Sequence, residues 1–253
     1  MSASLSSRLP IFFFLFSCLS VGQTALTVAA ASDLAPLQNQ LATACRKNEP
    51  NWTVRFVNGA SALLAQQIEN GAPYDVFLSA NAGFVDRLAS NRKLLPESVR
   101  PYAIGRVAIL WRDEKRHPLS ELAQSWVRFV ALPNPKLAPY GVAAQESLEH
   151  AGVWEFVRQK VVYGENVRQA LQLFESGNAD AVLTAAALVQ GKNPELIPAA
   201  WHQPIVQKAG IVASTPNRGA AEKFLDFLLS PPAQAIFTRF GFSNTPRSEP
   251  KRR

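Results

Sequence analysis

The chain has 253 residues, of which 47 % are apolar and 18 % are charged, and it contains 18 prolines and 13 glycines. This composition excludes a disordered or fibrous protein and fits one large domain or two of ordinary size. The formal net charge is +7, but no run of basic residues alternates with aromatics, which disfavours a nucleic-acid groove. We expect residues 248–253 to form a solvated basic tail.

The N-terminal segment, residues 1–22, has the pattern of a secretory signal peptide. A basic residue precedes the apolar run 11–16, and the small residues Ser20 and Gly22 follow it. The run is too short to span a bilayer, and cleavage after Gly22 places small residues at both recognition positions. The sequence therefore predicts an exported, periplasmic protein with a soluble mature chain. A lipoprotein anchored at Cys18 is the alternative, although its cleavage box contains a bulky residue.

After this segment, short apolar runs with β-branched members alternate with helical patterns. Strands are predicted at 26–30, 53–57, 75–79, 127–132, 161–163 and 179–183. Helices are predicted from Ser32–Asp33 onward, over 61–69, from about 140 to 150 and over 167–176. Alternation of this kind indicates mostly parallel sheets with helices on both faces. The predicted fold class is therefore α/β, in two lobes.

Four strand-to-helix junctions are candidates for a ligand site, because open parallel sheets bind ligands beyond the carboxyl ends of their strands. They are Ser32–Asp33, Gly59–Ala60–Ser61, Pro139–Tyr140–Gly141 and Asn166–Val167. Each presents free backbone N–H groups at the positive end of a helix dipole, and two add a serine hydroxyl. Such donors suit an oxyanion that has no proton to share. Considered alone, each junction is more simply explained as an ordinary helix N-cap. Only the convergence of several junctions would make a ligand site.

Several motifs resemble those of the periplasmic molybdate-binding proteins of ABC transporters. The longest is GASALLAQQIENGAPYDVFLSA at 59–80, and the shorter ones are AAASDL at 29–34, YAIGR at 102–106, NPKLAPYG at 134–141, PPAQ at 231–234 and FGF at 240–242. The similarity covers essentially the whole mature chain. It implies a two-lobed binding protein, each lobe a mostly parallel sheet flanked by helices, with a cleft that closes on molybdate or tungstate.

The resemblance also implies which residues contact the anion. Ser32 and Ser61 would donate hydroxyl and backbone hydrogen bonds from the first lobe. The backbone N–H groups of Tyr140 and Val167 would donate from the second lobe. The chain would be a monomer that delivers the anion to the membrane permease of an ABC transporter, with no cofactor and no metal other than the molybdenum of the anion itself.

Two further positions allow more than one interpretation. The N–H of Asp33 is a candidate donor, but its carboxylate repels an anion. We therefore expect Asp33 to cap its helix with the carboxylate turned away; facing the ligand, it would accept a proton and favour hydrogen phosphate. Thr184 stands where many members of the family carry a tyrosine whose hydroxyl reaches the anion. Because threonine is shorter, it replaces that contact only in part.

We predict that the first lobe comprises 24–102 plus 211–247 and that the second comprises 103–210. Binding should close the lobes about hinge segments near Ala103–Ile104 and Pro204–Ile205–Val206. Cavity size would then discriminate molybdate from sulfate, since both dianions offer only acceptors.

Two other functions compete with this interpretation. One is a binding protein for another tetrahedral oxyanion, such as sulfate or phosphate. The other, more distant, is a hydrolase. The sequence has no nucleophile elbow, phosphate-binding loop or dinucleotide fingerprint. His117, His150 and His202 lie far apart without metal-ligand spacing or an evident nucleophile partner. A transcriptional regulator is excluded by the export signal and by the lack of a helix-turn-helix before the first strand.

Overall fold

The computed structural model describes residues 24–244. The predicted signal peptide at 1–22, with its Cys18 alternative, and the basic tail at 248–253 lie outside the described residues. Within 24–244, none of the helices combines the length and the apolar character that a membrane span requires.

Two five-stranded sheets flanked by helices form the described chain. The strands are β1 (Thr24–Ala31), β2 (Trp52–Gly59), β3 (Val76–Ser79), β4 (Arg100–Gly105), β5 (Val107–Trp111), β6 (Val130–Pro133), β7 (Val161–Gly164), β8 (Ala181–Ala185), β9 (Glu195–Leu196) and β10 (Ile205–Ile211). The α-helices are α1 (Gln38–Asn48), α2 (Ser61–Glu69), α3 (Ala82–Ser90), α4 (Pro139–His150), α5 (Trp154–Val157), α6 (Val167–Glu175), α7 (Arg218–Leu229) and α8 (Pro231–Arg239). Short 3-10 turns include Ser32–Leu34 and Ala186–Val189.

The two sheets repeat one topology. The first has the strand order β2-β1-β3-β10-β4, and the second has β7-β6-β8-β5-β9. Each is parallel on one side, where β1 pairs with β2 and β3, and β6 pairs with β7 and β8. Each is antiparallel on the other side, through β10 in the first sheet and β5 in the second. The predicted two-lobed α/β class is confirmed, with sheets that are mixed.

The predicted lobe boundaries lie within strands of the first sheet. The predicted divisions at 102/103 and 210/211 fall inside β4 and β10, which pair with each other in the first sheet. The chain therefore leaves the first sheet after Gly105 and returns to it at Ile205. The predicted hinge Ala103–Ile104 lies within β4, and the predicted hinge at 204–206 spans the start of β10. Movement at these segments remains a prediction.

The central strands are buried on both faces, which explains their unbroken apolar runs. In β1, Leu26, Val28 and Ala30 join one hydrophobic cluster, while Ala29 joins the cluster on the opposite face. β8 has the same arrangement, with Leu183 on one face and Val182 on the other. Helices cover both faces of each sheet, so the strands need no polar side.

Two predicted elements differ from those observed. The helix expected from Ser32–Asp33 is a 3-10 turn, and α1 begins only at Gln38. Pro36 lies between them, and its lack of an N–H and its steric restriction of the preceding residue disfavour a continuous helix. The strand expected at 127–132 begins at Val130. The backbone N–H groups of the two preceding residues instead donate to the buried carboxylate of Asp180.

Candidate functional site

A small cavity lies where the two lobes meet, at the ends of β1, β2 and β7 and at the loop after β6. The space inside it that can hold the centre of a water molecule is only about 10 Å³. All four predicted junctions contribute to its wall. The structure therefore brings together the predicted site residues Ser32, Asp33, Ser61, Tyr140 and Val167.

The first lobe contributes two serine hydroxyls. Ser61 begins α2, and its hydroxyl oxygen accepts a hydrogen bond of 3.2 Å from the N–H of Ala80. This bond uses only an oxygen lone pair, so the hydroxyl proton stays available for a ligand. Ser32 begins the 3-10 turn after β1, and its hydroxyl has no hydrogen-bond partner among the described residues. Both serines are buried, with 4 % or less of their surface exposed.

The second lobe contributes the N-termini of two helices. α4 begins at Pro139, and its N-cap, Ala138, has no side chain able to accept from the first turn. The N–H of Tyr140 is therefore one of the orphan donors of a helix start. In α6, the side chain of Asn166 accepts from the N–H groups of Arg168 and Gln169, at 2.9 and 3.2 Å. This cap satisfies the second and third N–H groups and leaves the first, that of Val167, facing the junction.

The lobes touch each other around the cavity. The N–H of Ala62 in α2 donates to the carbonyl of Leu137 in the loop before α4, at 3.2 Å. Ala31 and Ala80 of the first lobe pack into the hydrophobic cluster of the second lobe. These contacts explain why so little open space remains between the four junctions.

Asp33 does not cap a helix, which corrects the sequence-based expectation. Its Oδ2 accepts a hydrogen bond of 2.9 Å from the hydroxyl of Tyr140, across the cleft, and one of 2.5 Å from the side-chain amide of Gln207 in β10. Gln207 in turn accepts from the hydroxyl of Tyr102. Asp33 is 1 % exposed, and its Oδ1 has no partner of good hydrogen-bond geometry among the described residues.

Burial controls the ionisation of this cluster. Desolvation raises the pKa of Asp33 to about 6, although the hydrogen bonds from Tyr140 and Gln207 lower it. The backbone N–H groups of Asp33 and Leu34 also favour the charged carboxylate, although neither has good hydrogen-bond geometry to Oδ1. Burial, followed by the charge of Asp33, raises the pKa of Tyr140 well above its ordinary value, so its hydroxyl stays protonated and remains a donor.

A close approach of glycine to tyrosine makes room for the contact between the lobes. A Cβ atom added to Gly105, the last residue of β4, would lie 2.2 Å from the hydroxyl oxygen of Tyr140. Tyr140 therefore reaches across to Asp33 only because position 105 has no side chain.

Thr184 does not line the cavity, so the structure gives it a different role from the predicted one. Its side chain is fully buried, and its hydroxyl donates to the carbonyl of Val167 at 2.9 Å. Thr184 thus acts on the site indirectly, by fixing the first residue of α6. Arg168 is exposed on that helix.

The site is built from neutral donors. Among the described residues that line the cavity, Asp33 is the only one with a carboxyl, and none carries a cationic side chain. Within residues 24–244, no group of three His, Cys, Asp or Glu side chains is placed to hold a metal ion. Backbone N–H groups, helix dipoles and hydroxyls are therefore the chemistry that this cavity offers.

Sequence reasoning missed three residues of this site: Gln207, Tyr102 and Gly105. Gln207 contacts Asp33 from 174 positions away in the chain. No local pattern indicates such a contact. Tyr102 and Gly105 lie in the motif YAIGR, and Gln207 is a polar residue next to apolar ones, but neither feature points to Asp33.

Comparisons with known proteins agree with this architecture. A family model for bacterial extracellular solute-binding proteins matches residues 26–243. The molybdate-binding protein ModA of Rhodobacter capsulatus is 32 % identical over 194 residues, which cover 75 % of this chain and 77 % of that protein. The putative ABC transporter substrate-binding lipoprotein YvgL of Bacillus subtilis is 30 % identical over 226 residues, 86 % of each chain.

A solved structure gives the same result. The periplasmic molybdate-binding protein of Azotobacter vinelandii superposes with a TM-score of 0.81 and is 32 % identical, covering 87 % of this chain and all of that one. The family resemblance inferred from the motifs is thereby confirmed, and the chain belongs to the bacterial extracellular solute-binding proteins.

Proposed function

We propose that this protein captures molybdate in the cavity between its lobes and delivers it to the permease of an ABC transporter. One observation carries the proposal: four junctions, distant in sequence, line one small cavity. Relatives that are named as molybdate-binding proteins support the choice of anion. Tungstate, which offers the same tetrahedral set of acceptors, belongs to the same proposal.

The donor set explains why a dianion fits. Molybdate has only acceptor oxygens, and the wall of the cavity presents hydroxyls and backbone N–H groups without a cationic partner. Such preorganised dipoles bind an anion without the desolvation of a buried counter-ion. Sulfate is equally an all-acceptor dianion, so the size of the closed cavity would discriminate against it.

Hydrogen phosphate is the second candidate ligand, and one observation favours it. Asp33 lines the cavity and its Oδ1 is an acceptor without a well-aligned partner, and a protonated phosphate carries an O–H donor that could satisfy it. If phosphate is the ligand, Asp33 recognises its proton directly.

The setting of this function is also part of the proposal. Export into the periplasm, with removal of residues 1–22, would place the cavity where an ABC permease collects its substrate. A protein tethered through Cys18 would serve the same permease from the membrane surface. Mass determination of the exported protein separates the two forms, since only the second retains Cys18 with attached lipid.

Titration calorimetry tests the choice of ligand. Protein that starts at residue 23 would be titrated in turn with molybdate, tungstate, sulfate and phosphate. We expect tight one-to-one binding of molybdate or tungstate and no heat with sulfate. Heat with phosphate and none with molybdate would support the second candidate. The absence of binding heat with all four anions would refute an oxyanion-binding function.

A further inference from the structure

The Oδ1 atom of Asp33, which is a hydrogen-bond acceptor when the carboxyl is charged, does not complement a ligand that offers only acceptors. It is an oxygen on a carboxyl that is 99 % buried, and it has no partner of good hydrogen-bond geometry among the described residues, although the N–H groups of Asp33 and Leu34 favour the charged carboxylate. Its residue lines the anion cavity. As a carboxylate, it would add an unpaired acceptor and a negative charge beside a dianion. As a carboxylic acid, the same oxygen would carry an O–H donor, which is what the ligand requires.

The surroundings of Asp33 provide no cation to hold the charged form. Its titratable neighbours are two tyrosines, Tyr140 from α4 and Tyr102 from β4, and β10 contributes the neutral Gln207. The charged residues of α6 and β2 near this end, Arg168 and Arg55, are exposed. The turn Ala186–Val189, which also packs against it, has no charged residue. Within residues 24–244, Asp33 forms no ion pair.

We propose that Asp33 takes up one proton from solvent when the cleft closes on a dianion, and that the protonated Oδ1 then donates a hydrogen bond into the cavity. Oδ2 keeps the two hydrogen bonds that it accepts from Tyr140 and Gln207, so protonation leaves the contact between the lobes intact. Anion capture is thereby coupled to proton uptake. This inference rests on the proposed oxyanion-binding function.

The titration of Asp33, with the lobes in contact around it, is consistent with this role. Burial raises its pKa to about 6, so the carboxyl is mostly charged at pH 7.5. A dianion in the same cavity disfavours that charge and raises the pKa further. The occupied protein therefore binds more protons than the empty one, and affinity falls as pH rises above about 6. The fall approaches tenfold per pH unit while the occupied form stays protonated.

Calorimetry in buffers of different ionisation enthalpy measures this proton directly. Protein that starts at residue 23 would be titrated with molybdate at pH 7.5, and the dependence of the observed heat on the buffer gives the number of protons bound. We expect a value close to one. The Kd would be measured between pH 6.5 and 8.5, a range in which molybdate itself stays a dianion, and we expect it to rise with pH.

Asp33→Asn is the decisive variant, because it places an amide N–H donor at the position of Oδ1 and keeps an oxygen that accepts from Tyr140 and Gln207. We expect no proton uptake, a flat pH profile and, at pH 8, affinity up to about 100-fold tighter than that of the unmodified protein, two pH units at tenfold each. The control Asp86→Asn removes an exposed carboxylate that pairs with Lys208. It should retain the uptake.

Tyr140→Phe provides a second variant that does not alter the carboxyl. Loss of a donor that favours the charged carboxylate should move the pH profile of affinity to higher pH. Molybdate binding without proton uptake, or with uptake that persists in Asp33→Asn, would overturn the inference and leave the proposed function standing. Absence of molybdate binding at every pH would overturn both.

Discussion

The two lobes share one strand order but present their ligand donors in different ways. In the proposed site, the first lobe offers the side-chain hydroxyls of Ser32 and Ser61 in addition to their backbone N–H groups. The second lobe offers the N–H groups of Tyr140 and Val167, which belong to the backbone at helix starts. A side-chain donor is lost by one substitution, whereas a backbone donor is lost only when its helix moves. The halves of the site should therefore fail under different kinds of mutation.

The glycines at the equivalent junctions follow the same division. Gly59 ends β2 before α2, and a Cβ there would meet only the flexible side chain of Leu64, at 3.2 Å. Gly164 ends β7 before α6, and a Cβ there would lie 2.3 Å from the backbone nitrogen of Ala170. The second lobe thus holds its helix against the strand by direct backbone contact, which fixes the N–H of Val167.

Substitution of the second glycine should have the largest effect. Gly164→Ala forces α6 away from β7, and we expect the free energy of unfolding to fall by about 3 kcal/mol, the upper part of the range for overpacking. Molybdate binding should be lost with it. Gly59→Ala is the matched control for stability, and its free energy of unfolding should fall much less, because only the side chain of Leu64 has to move. Thermal unfolding and calorimetry on both variants measure the difference. Equal losses of stability in the two variants would contradict a tighter backbone contact in the second lobe.

Loss of a hydroxyl in the first lobe should have the next largest effect on binding. Ser61→Ala removes a proton donor to a charged ligand, and we expect affinity to weaken by about 1.5–3 kcal/mol. The control is Ser90→Ala, at an exposed serine that donates only to its own helix. Titration with molybdate measures both. Affinity of Ser61→Ala within twofold of the unmodified protein would remove Ser61 from the site.

The sequence identified the junctions because each depends on local rules. A strand followed by a helix start places free N–H groups at a definable position, so the junctions at Ser61 and Val167 could be named as candidates from neighbouring residues. Their contact with an anion was implied only by the family resemblance. The mixed character of the sheets could not be predicted in this way, because β10 joins the first sheet from far along the chain. The role of Thr184 also escaped, since its donation to the carbonyl of Val167 depends on how β8 packs beneath α6. For Asp33, local reasoning favoured a cap, but the partners that hold its carboxyl come from α4 and β10.

The cap of α6 offers an intermediate test. Asn166→Ala frees the N–H groups of Arg168 and Gln169, and we expect the free energy of unfolding to fall by about 0.5–2 kcal/mol. Affinity should weaken too, because the start of α6 frays at the ligand. Asn81→Ala removes the side-chain cap of α3 in the first lobe, outside the wall of the cavity. It should lose stability while keeping affinity, and equal affinity losses in the two variants would contradict the role of the α6 start.

The smallest effect on affinity is expected at Val167, although this residue lines the cavity. Val167→Ala keeps the backbone N–H and shortens a side chain that is 3 % exposed and packed in the core of the second lobe. The free energy of unfolding should fall, because a buried side chain loses contacts. Affinity for molybdate should stay within about twofold, because the donor itself is unchanged. Chemical denaturation and titration on one preparation separate the two quantities. A loss of affinity as large as that of Ser61→Ala would mean that the valine side chain, and not its N–H, shapes the ligand site, and the two lobes would then bind their ligand in the same way.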